Sequence, residues 1–449
     1  MQIVIIGNGI SGITNARWIR KLSDHNITVI SSESDHFYSR TALMYIYMGH
    51  MRYEDTKPYE DWFWEKNQIE LVKDNVDHVD FTRKSLQLSS GKEIKYDKLV
   101  IATGSKSNKF GWPGQDLNRV RGLYNLSDLE DIELHSKGLK RAVIIGGGLI
   151  GIEMAEMFHS RNIPVTMIVR EDNYWDNILP VEEAKLIGHH ILEHHIDLRL
   201  GCNLREIIDD GHGNACAVVI DETGEKIECG YVGLTPGVSP NIDFLRNTKL
   251  EIGRGILVDR HLETNIEDVY AIGDCVQLKE PVPGRRAIEA VWYTGRMMGE
   301  TAAYNICGQA VAYNPGIWFN SAKFFDIEYM VYGNVPNRIE SPLDSILWVH
   351  ENKKISVRII YDPTTMSVEG FNLLGVRYRH EVCEKWLKEK TPMNEVMENL
   401  ALANFDPEFY KSYEREIVEA FNTKTGQNIQ SKRKRGLAGA FSYLSQLNY

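Results

Sequence analysis

The chain has 449 residues, 43% of them hydrophobic and 25% charged, with 51 Lys+Arg against 62 Asp+Glu and a formal net charge of −11. That is enough apolar material for a large core in about three domains, and the composition excludes gross disorder. The acidic balance gives no reason to expect a nucleic-acid partner, and no apolar run nears the roughly 18 residues of a membrane span.

The first strand begins at residue 2, so we expect no targeting segment and a cytoplasmic protein. The six cysteines (Cys202, Cys216, Cys229, Cys275, Cys307 and Cys383) are scattered without a C-x-x-C pair. They fit neither an iron–sulfur nor a zinc ligand set and are expected to be free thiols.

Residues 2–6 read as a buried parallel strand running into Gly7-Asn8-Gly9-Ile10-Ser11-Gly12 and then a helix to Leu22. Gly7 suits the tight turn, Gly9 a close approach of backbone to a pyrophosphate, and Gly12 the packing of helix on strand. The pyrophosphate sits on the free N–H groups at the helix start. A second strand, residues 27–30, ends near Glu33, about where an acid reaches a ribose 2′-OH.

An aromatic helical segment follows at residues 58–64, then strands at 69–72, 76–81 and 85–88. An apolar strand ends in Ala102-Thr103-Gly104, and Pro113-Gly114 marks a crossing out of the domain. Residues 141–145 then repeat the opening pattern, with glycines at 146, 148 and 151 around Leu149 and Ile150, and Glu153 just inside the helix. Two copies of one fingerprint mean two nucleotide sites. The next strand, 165–169, is followed by Arg170, and a hairpin-rich stretch leads to Pro236-Gly237.

A short strand then ends on Gly273-Asp274, and a helix after Pro283-Gly284 carries Trp292 and Tyr293. Beyond about Pro315 the pattern changes to mixed strands and late helices, ending in a basic run at Lys432-Arg433-Lys434-Arg435. The expected fold class is α/β: two Rossmann-like βαβ domains with parallel sheets plus a C-terminal α+β domain. The expected boundaries are 1–114 with 242–314, then 115–241, then 315–449. His190 and His194 lie four apart on one helical face, as metal ligands can. No carboxylate or cysteine at useful spacing completes a set, and the helix reads as peripheral to the nucleotide domain. No metal is expected.

Together these motifs resemble the two-dinucleotide-binding-domain flavoproteins of the pyridine nucleotide–disulfide oxidoreductase superfamily, over roughly residues 1–335. The resemblance implies that Gly7, Gly9, Ile10, Ser11, Gly12 and Glu33 hold FAD, with Val76 at the adenine and Ala102-Thr103-Gly104 where the chain crosses the cofactor. It places Gly273 and Asp274 at the ribityl chain and Trp292 and Tyr293 beside the flavin ring. NAD(P)H would lie on Gly146, Gly148, Leu149, Ile150, Gly151 and Gly237, with Glu153 near the nicotinamide. Glu153 and Trp292 are the candidates for a direct part in the reaction.

Disulfide-reducing members carry a C-x-x-x-x-C pair just after the first acidic residue, and residues 36–44 here contain no cysteine, so no thiolate is supplied locally. Tyr38, Ser39, Arg40 and Leu43 instead resemble the Tyr-x-Arg-Pro-x-Leu signature of ferredoxin, rubredoxin and putidaredoxin reductases and of nitrite reductase large subunits. Arg40 then belongs to the FAD site, while Thr41 stands in place of the proline and Tyr45 in place of a lysine. Residues 317–324 are similar to the Trp-Phe-Trp-Ser segment that opens the third domain of ferredoxin reductases.

Arg170, at the end of the second site's second strand, can pair with a 2′-phosphate and favours NADPH over NADH, although Glu171 and Asp172 follow it. The implied activity is an FAD-dependent NAD(P)H oxidoreductase that takes a hydride onto flavin and passes electrons to a small iron–sulfur protein. The flavin does the chemistry, and the expected assembly is a monomer or homodimer. Two other readings stay open: an NAD(P)H oxidase or a quinone- or nitrite-reductase-type flavoprotein, and a redox-switched binding protein that uses the C-terminal extension and basic tail.

Overall fold

In the computed structural model, which describes residues 1–405 and 411–432, the opening strand Gln2–Ile6 lies at the centre of a five-stranded sheet. The order is Val269–Ala271, Lys98–Ile101, Gln2–Ile6, Asn26–Ser31, Ile69–Lys73, and every pairing is parallel. A parallel strand covered on both faces has no solvent side, which is why Ile3, Val4 and Ile5 form an unbroken apolar run with no exposure. Each contributes about 1.5–3 kcal/mol by its burial.

The helix Ile10–Leu22 lies against the helix Trp292–Ile306. Small residues allow the approach, since a Cβ on Gly295 would stand 2.7 Å from Ser11 Oγ and one on Gly299 2.5 Å from the Ser11 carbonyl. The later helix starts only at Trp292 because the preceding segment is held by a buried Arg285–Glu289 pair at 2.6 Å, and Val291 is extended.

A second all-parallel sheet repeats the arrangement: Asp197–Leu200, Val165–Val169, Ala142–Ile145, Tyr231–Leu234, Val120–Arg121. The helix Leu149–Ser160 follows its central strand. Both sheets belong to one compact unit, residues 1–170 with 196–315.

The second unit joins residues 171–195 to the chain from Gly316 onward. Its core is an antiparallel sheet in the order Phe319–Phe324, Ile327–Gly333, Val368–Leu374, Ser356–Tyr361, Asp344–Val349. The helices His380–Lys388 and Glu414–Thr425 pack on it.

The helix Val181–Glu193, which follows the strand Val165–Val169 in sequence and precedes the strand Asp197–Leu200, groups with this unit. The reason lies in its first turn, where Glu183 is fully buried. Glu183 takes Arg358 at 2.7 Å and the Asn372 amide at 3.2 Å. Cutting such a pair strands a buried charge at a cost of about 3–5 kcal/mol, so this attachment is firm. Lys432 pairs with Glu398 at 2.8 Å, and Arg433 to Arg435 of the basic run lie outside the described residues. Among the described residues, no helix is long and apolar enough to cross a membrane.

Candidate functional site

The first glycine turn closes on itself and leaves one face clear. Gly7 has φ +114°, and a Cβ there would lie 2.1 Å from the Ala102 carbonyl oxygen; one on Gly12 would lie 2.0 Å from the Gly7 carbonyl. Hydrogen bonds fix the turn at the carboxyl ends of three strands, from Gly7 N–H to Ile30 and from Ala102 N–H to Ile6, both at 2.8 Å. Gly9 differs, for its Cβ would meet nothing within 4 Å. The helix that starts at Ile10 has no side-chain cap. Clear backbone at an uncapped helix N-terminus suits a pyrophosphate.

Gly273 and Asp274 reach the same place. A Cβ on Gly273 would lie 2.4 Å from Ser11 Oγ, so this turn rests directly on the first. The Asp274 carboxylate accepts the Tyr124 hydroxyl at 3.2 Å, and that hydroxyl accepts the Ser105 N–H at 2.8 Å. Burial pushes the Asp274 carboxyl up, while the Tyr124 hydrogen bond and the Arg40 charge pull it back. Burial also raises the phenol of Tyr124, which therefore stays a donor at neutral pH.

Arg40 and Glu33, read from sequence as separate cofactor ligands, are bound to each other. The guanidinium forks onto the carboxylate at 2.7 and 3.2 Å, hydrogen-bonds the Tyr124 carbonyl and stacks over the Tyr124 ring at 4.6 Å. Glu33 also accepts the Tyr38 hydroxyl and the Leu126 N–H, the latter at 3.1 Å. The Tyr-x-Arg signature thus serves to hold the acid at the end of the second strand. Tyr124, which ties this network to Asp274, was missed from sequence. It stands two residues before a helix, Leu126–Ser136, with no pattern pointing to the site.

Val76 is buried and opens the antiparallel strand Val76–Asp80. Thr103 and Gly104 follow Ala102 where the chain leaves the sheet, with Gly104 at φ +66°. Trp292 and Tyr293 are half-buried in the first turn of their helix, with perpendicular rings 5.5 Å apart.

The second turn reproduces the first. Gly146 has φ +116°, with its added Cβ 2.5 Å from the Thr235 carbonyl; that of Gly151 lies 2.4 Å from the Gly146 carbonyl, and that of Gly148 meets nothing within 4 Å. Leu149, Ile150 and Glu153 are half-buried at the start of the helix. Gly237 is exposed at φ +97° beyond the adjacent strand, and Arg170 is exposed at the end of the next. These positions lie outside the carboxyl ends of parallel strands, where open α/β sheets bind ligands.

All six cysteines are free thiols. Cys275 is buried beside Asp274, and burial pushes its thiol up to about 11. Burial likewise pushes Cys229 up to about 12. Both are protonated at neutral pH.

A double Rossmann unit with two matching glycine turns defines a two-nucleotide oxidoreductase. Residues 1–299 match the family described as pyridine nucleotide-disulphide oxidoreductase, and the chain belongs to it. It is 30% identical over 338 residues to the NADH-rubredoxin oxidoreductase of Clostridium acetobutylicum, covering 75% of this chain and 82% of that one. A crystal structure of NADH:rubredoxin oxidoreductase from C. acetobutylicum superimposes with a TM-score of 0.68 at 25% identity, covering 98% and 99% of the two chains. An NAD-dependent persulfide reductase from A. fulgidus gives 0.82 at 24% identity over 95% and 84%, a likeness of fold.

The chain is therefore an FAD-dependent NAD(P)H oxidoreductase. The residues present fit both nucleotides: each turn has a glycine at the start of a helix, Gly9 or Gly148, where an added Cβ would meet nothing within 4 Å.

Proposed function

We propose that the first turn holds FAD and the second holds NADH, and that electrons pass through the flavin to a small iron–sulfur protein of the rubredoxin or ferredoxin kind. Gly7, Gly9 and Gly12, with Ile10 and Ser11, receive the pyrophosphate of FAD. Asp274, oriented by Tyr124, takes the ribityl hydroxyls. Arg40, held by Glu33, supplies positive charge beside them, and Val76 and Ala102-Thr103-Gly104 line the cofactor's path. Trp292 and Tyr293 flank the ring and exclude water. Gly146, Gly148 and Gly151, with Leu149, Ile150 and Gly237, receive the nicotinamide nucleotide, whose reactive end lies toward Glu153. The flavin, when bound, supplies the hydride acceptor and the single-electron steps.

The observation that carries this reading is the recurrence of one turn geometry in two neighbouring sheets of a single unit. The acceptor rests on the relatives, for the one from Clostridium acetobutylicum and one from Pseudomonas putida are both named for rubredoxin. Those names also specify NADH or NAD(+), and Arg170 stands beside two carboxylates, Glu171 and Asp172. We therefore favour NADH over the NADPH that Arg170 alone suggests.

Anaerobic mixing with NADH, followed in the visible flavin band, tests the proposal. Bleaching should be fast, and reoxidation should be fast with rubredoxin or ferredoxin and slow with oxygen. Equally fast discharge by oxygen alone would replace the reading with an oxidase. A bleached state that no acceptor discharges would replace it with a redox switch.

A further inference from the structure

The histidine pair dismissed from sequence acquires its missing carboxylate in the folded chain. The strands Phe319–Phe324 and Ile327–Gly333 pair with Phe324 opposite Ile327, so Phe325 and Asp326 form the two-residue turn between them. Asp326 is 132 residues from His194 in sequence, yet its Oδ1 lies 2.6 Å from His190 Nε2 and 3.1 Å from His194 Nε2. The two Nε2 atoms are 3.2 Å apart. All three residues belong to one compact unit.

Protons cannot satisfy this triangle. A carboxylate oxygen only accepts, and each Nε2 is either an N–H or a lone pair. If both imidazoles donate to Asp326, two N–H groups face each other across 3.2 Å. If only one donates, the other's lone pair faces the carboxylate oxygen. One edge always sets like against like. A cation at the centre removes the conflict, since it meets three lone pairs at once. Zinc-type bonds of about 2.0–2.1 Å in a tetrahedron set ligand atoms about 3.3 Å apart; the 3.1 and 3.2 Å edges lie close to that, and the 2.6 Å edge between His190 and Asp326 opens when the ion enters.

The groups around the three side chains limit how the rings can turn. His190 is 1% exposed, and its Nδ1 makes no hydrogen bond; the Glu193 carboxylate, one turn on, lies 3.5 Å from it. A carboxylate that accepts the far N–H of a ligating imidazole fixes its tautomer and raises its basicity; Glu193 stands close to that position without hydrogen-bonding His190. His194 is stacked on Phe325, 4.1 Å between centroids and 8° between planes, so the residue before Asp326 sets the ring's angle. Asp326 is exposed, leaving the outer side for water to complete the coordination.

We propose that His190, His194 and Asp326 bind one divalent transition ion of the zinc class, which clips the end of the helix Val181–Glu193 to the hairpin turn. The other end of that helix is already fastened through Glu183 and Arg358. The ion is structural: together with the Glu183–Arg358 pair it fastens both ends of the helix to one sheet, and it takes no part in electron transfer. Two nitrogens and one carboxylate oxygen select zinc, cobalt or nickel over magnesium or calcium.

The test uses untagged, flavin-loaded protein stripped with EDTA and titrated with Zn²⁺ by calorimetry, beside His194→Ala, Asp326→Asn and the neighbouring controls His189→Ala and His195→Ala. The expected result is one Zn²⁺ per chain that excess Mg²⁺ does not displace. The two ligand variants should lose more than about 100-fold in affinity, beyond the roughly 10–100-fold seen for outer-shell partners. The controls should bind within about twofold of the parent. Zn²⁺ should raise the melting temperature of the parent and of the controls, and leave that of His194→Ala and Asp326→Asn unmoved. The proposal is overturned if the parent takes up no Zn²⁺, or if either ligand variant binds as the parent does.

Discussion

The two glycine turns use almost the same backbone. Gly7 and Gly146 share φ near +115°, at +114° and +116°, and each presses on the carbonyl that ends a neighbouring strand, Ala102 in one case and Thr235 in the other. Around them the molecule differs. The first turn is surrounded by a closed polar network, Glu33–Arg40–Tyr124–Asp274 with Tyr38 behind it. The second has Arg170 and Gly237 exposed at its rim. A network fixed beforehand spares a ligand the cost of ordering it and favours tight binding, whereas a nicotinamide nucleotide must leave at every turnover. One turn suits a resident cofactor and the other an exchanging one.

Placing one methyl group in each turn tests that contrast most severely. In Gly7→Ala the Cβ falls 2.1 Å from a backbone oxygen at a φ that alanine resists, a cost on the order of 3 kcal/mol or more. The protein should purify without yellow colour and without NADH-driven activity. Gly146→Ala meets the same obstacle at 2.5 Å in the other sheet. It should stay yellow while kcat/KM for NADH drops about 100-fold, or ~2.7 kcal/mol. A colourless Gly146→Ala protein would show that the two turns do not have separate tenants.

The polar network gives the next largest effect. Tyr124→Phe removes the donor to Asp274 and the acceptor of the Ser105 N–H, worth about 1–3 kcal/mol, so flavin should dissociate about 10–100-fold more readily. Asp274 also makes a pH prediction for the flavin-free protein. Its carboxyl is raised in the folded state, so that state binds more protons, and the stability Asp274 contributes is lost as pH rises above 3.8, the unperturbed value. Urea titrations over a pH series should show Asp274→Asn gaining on the parent as pH increases. A constant gap would mean that the carboxylate is compensated without flavin.

At the rim of the second turn the effect is smaller. Arg170→Glu places a carboxylate where only a 2′-phosphate would be repelled. The NADPH-to-NADH ratio of kcat/KM should fall about tenfold, ~1.4 kcal/mol, with NADH turnover unchanged. If NADH turnover falls equally, Arg170 contacts a part that both nucleotides share.

What could be read from the chain beforehand follows the range of the interactions. Both turns were legible because strand, glycines and helix are contiguous, and the parallel sheets because residues 2–6 and 141–145 have no polar side. Asp274 was legible through its own short strand. The Glu33–Arg40 pair was half legible: both residues were singled out, but nothing in their spacing says that they meet each other before they meet a ligand. Glu183 was not legible at all. An acid in the first turn of a helix reads as a surface residue stabilised by the helix dipole, and only Arg358, far along the chain, shows it to be buried. Asp326 was hidden in the same way, since a two-residue turn between unremarkable strands carries no sign of the histidines it faces.

The smallest expected effect bears on whether the first site uses a thiol. Cys275 directly follows Asp274, and a thiol at the proposed flavin site would be the natural rival to direct transfer from flavin to an acceptor. Only the thiolate is a good nucleophile, and burial pushes this group up to about 11, so it is protonated at neutral pH. The side chain is fully enclosed, so an acceptor cannot reach it. Cys275→Ser should therefore keep its flavin and reduce rubredoxin or ferredoxin within about twofold of the parent rate, a difference below ~0.5 kcal/mol. Flavin retained with turnover lost would place a cysteine in the electron path and make the two sites chemically, rather than only structurally, unlike.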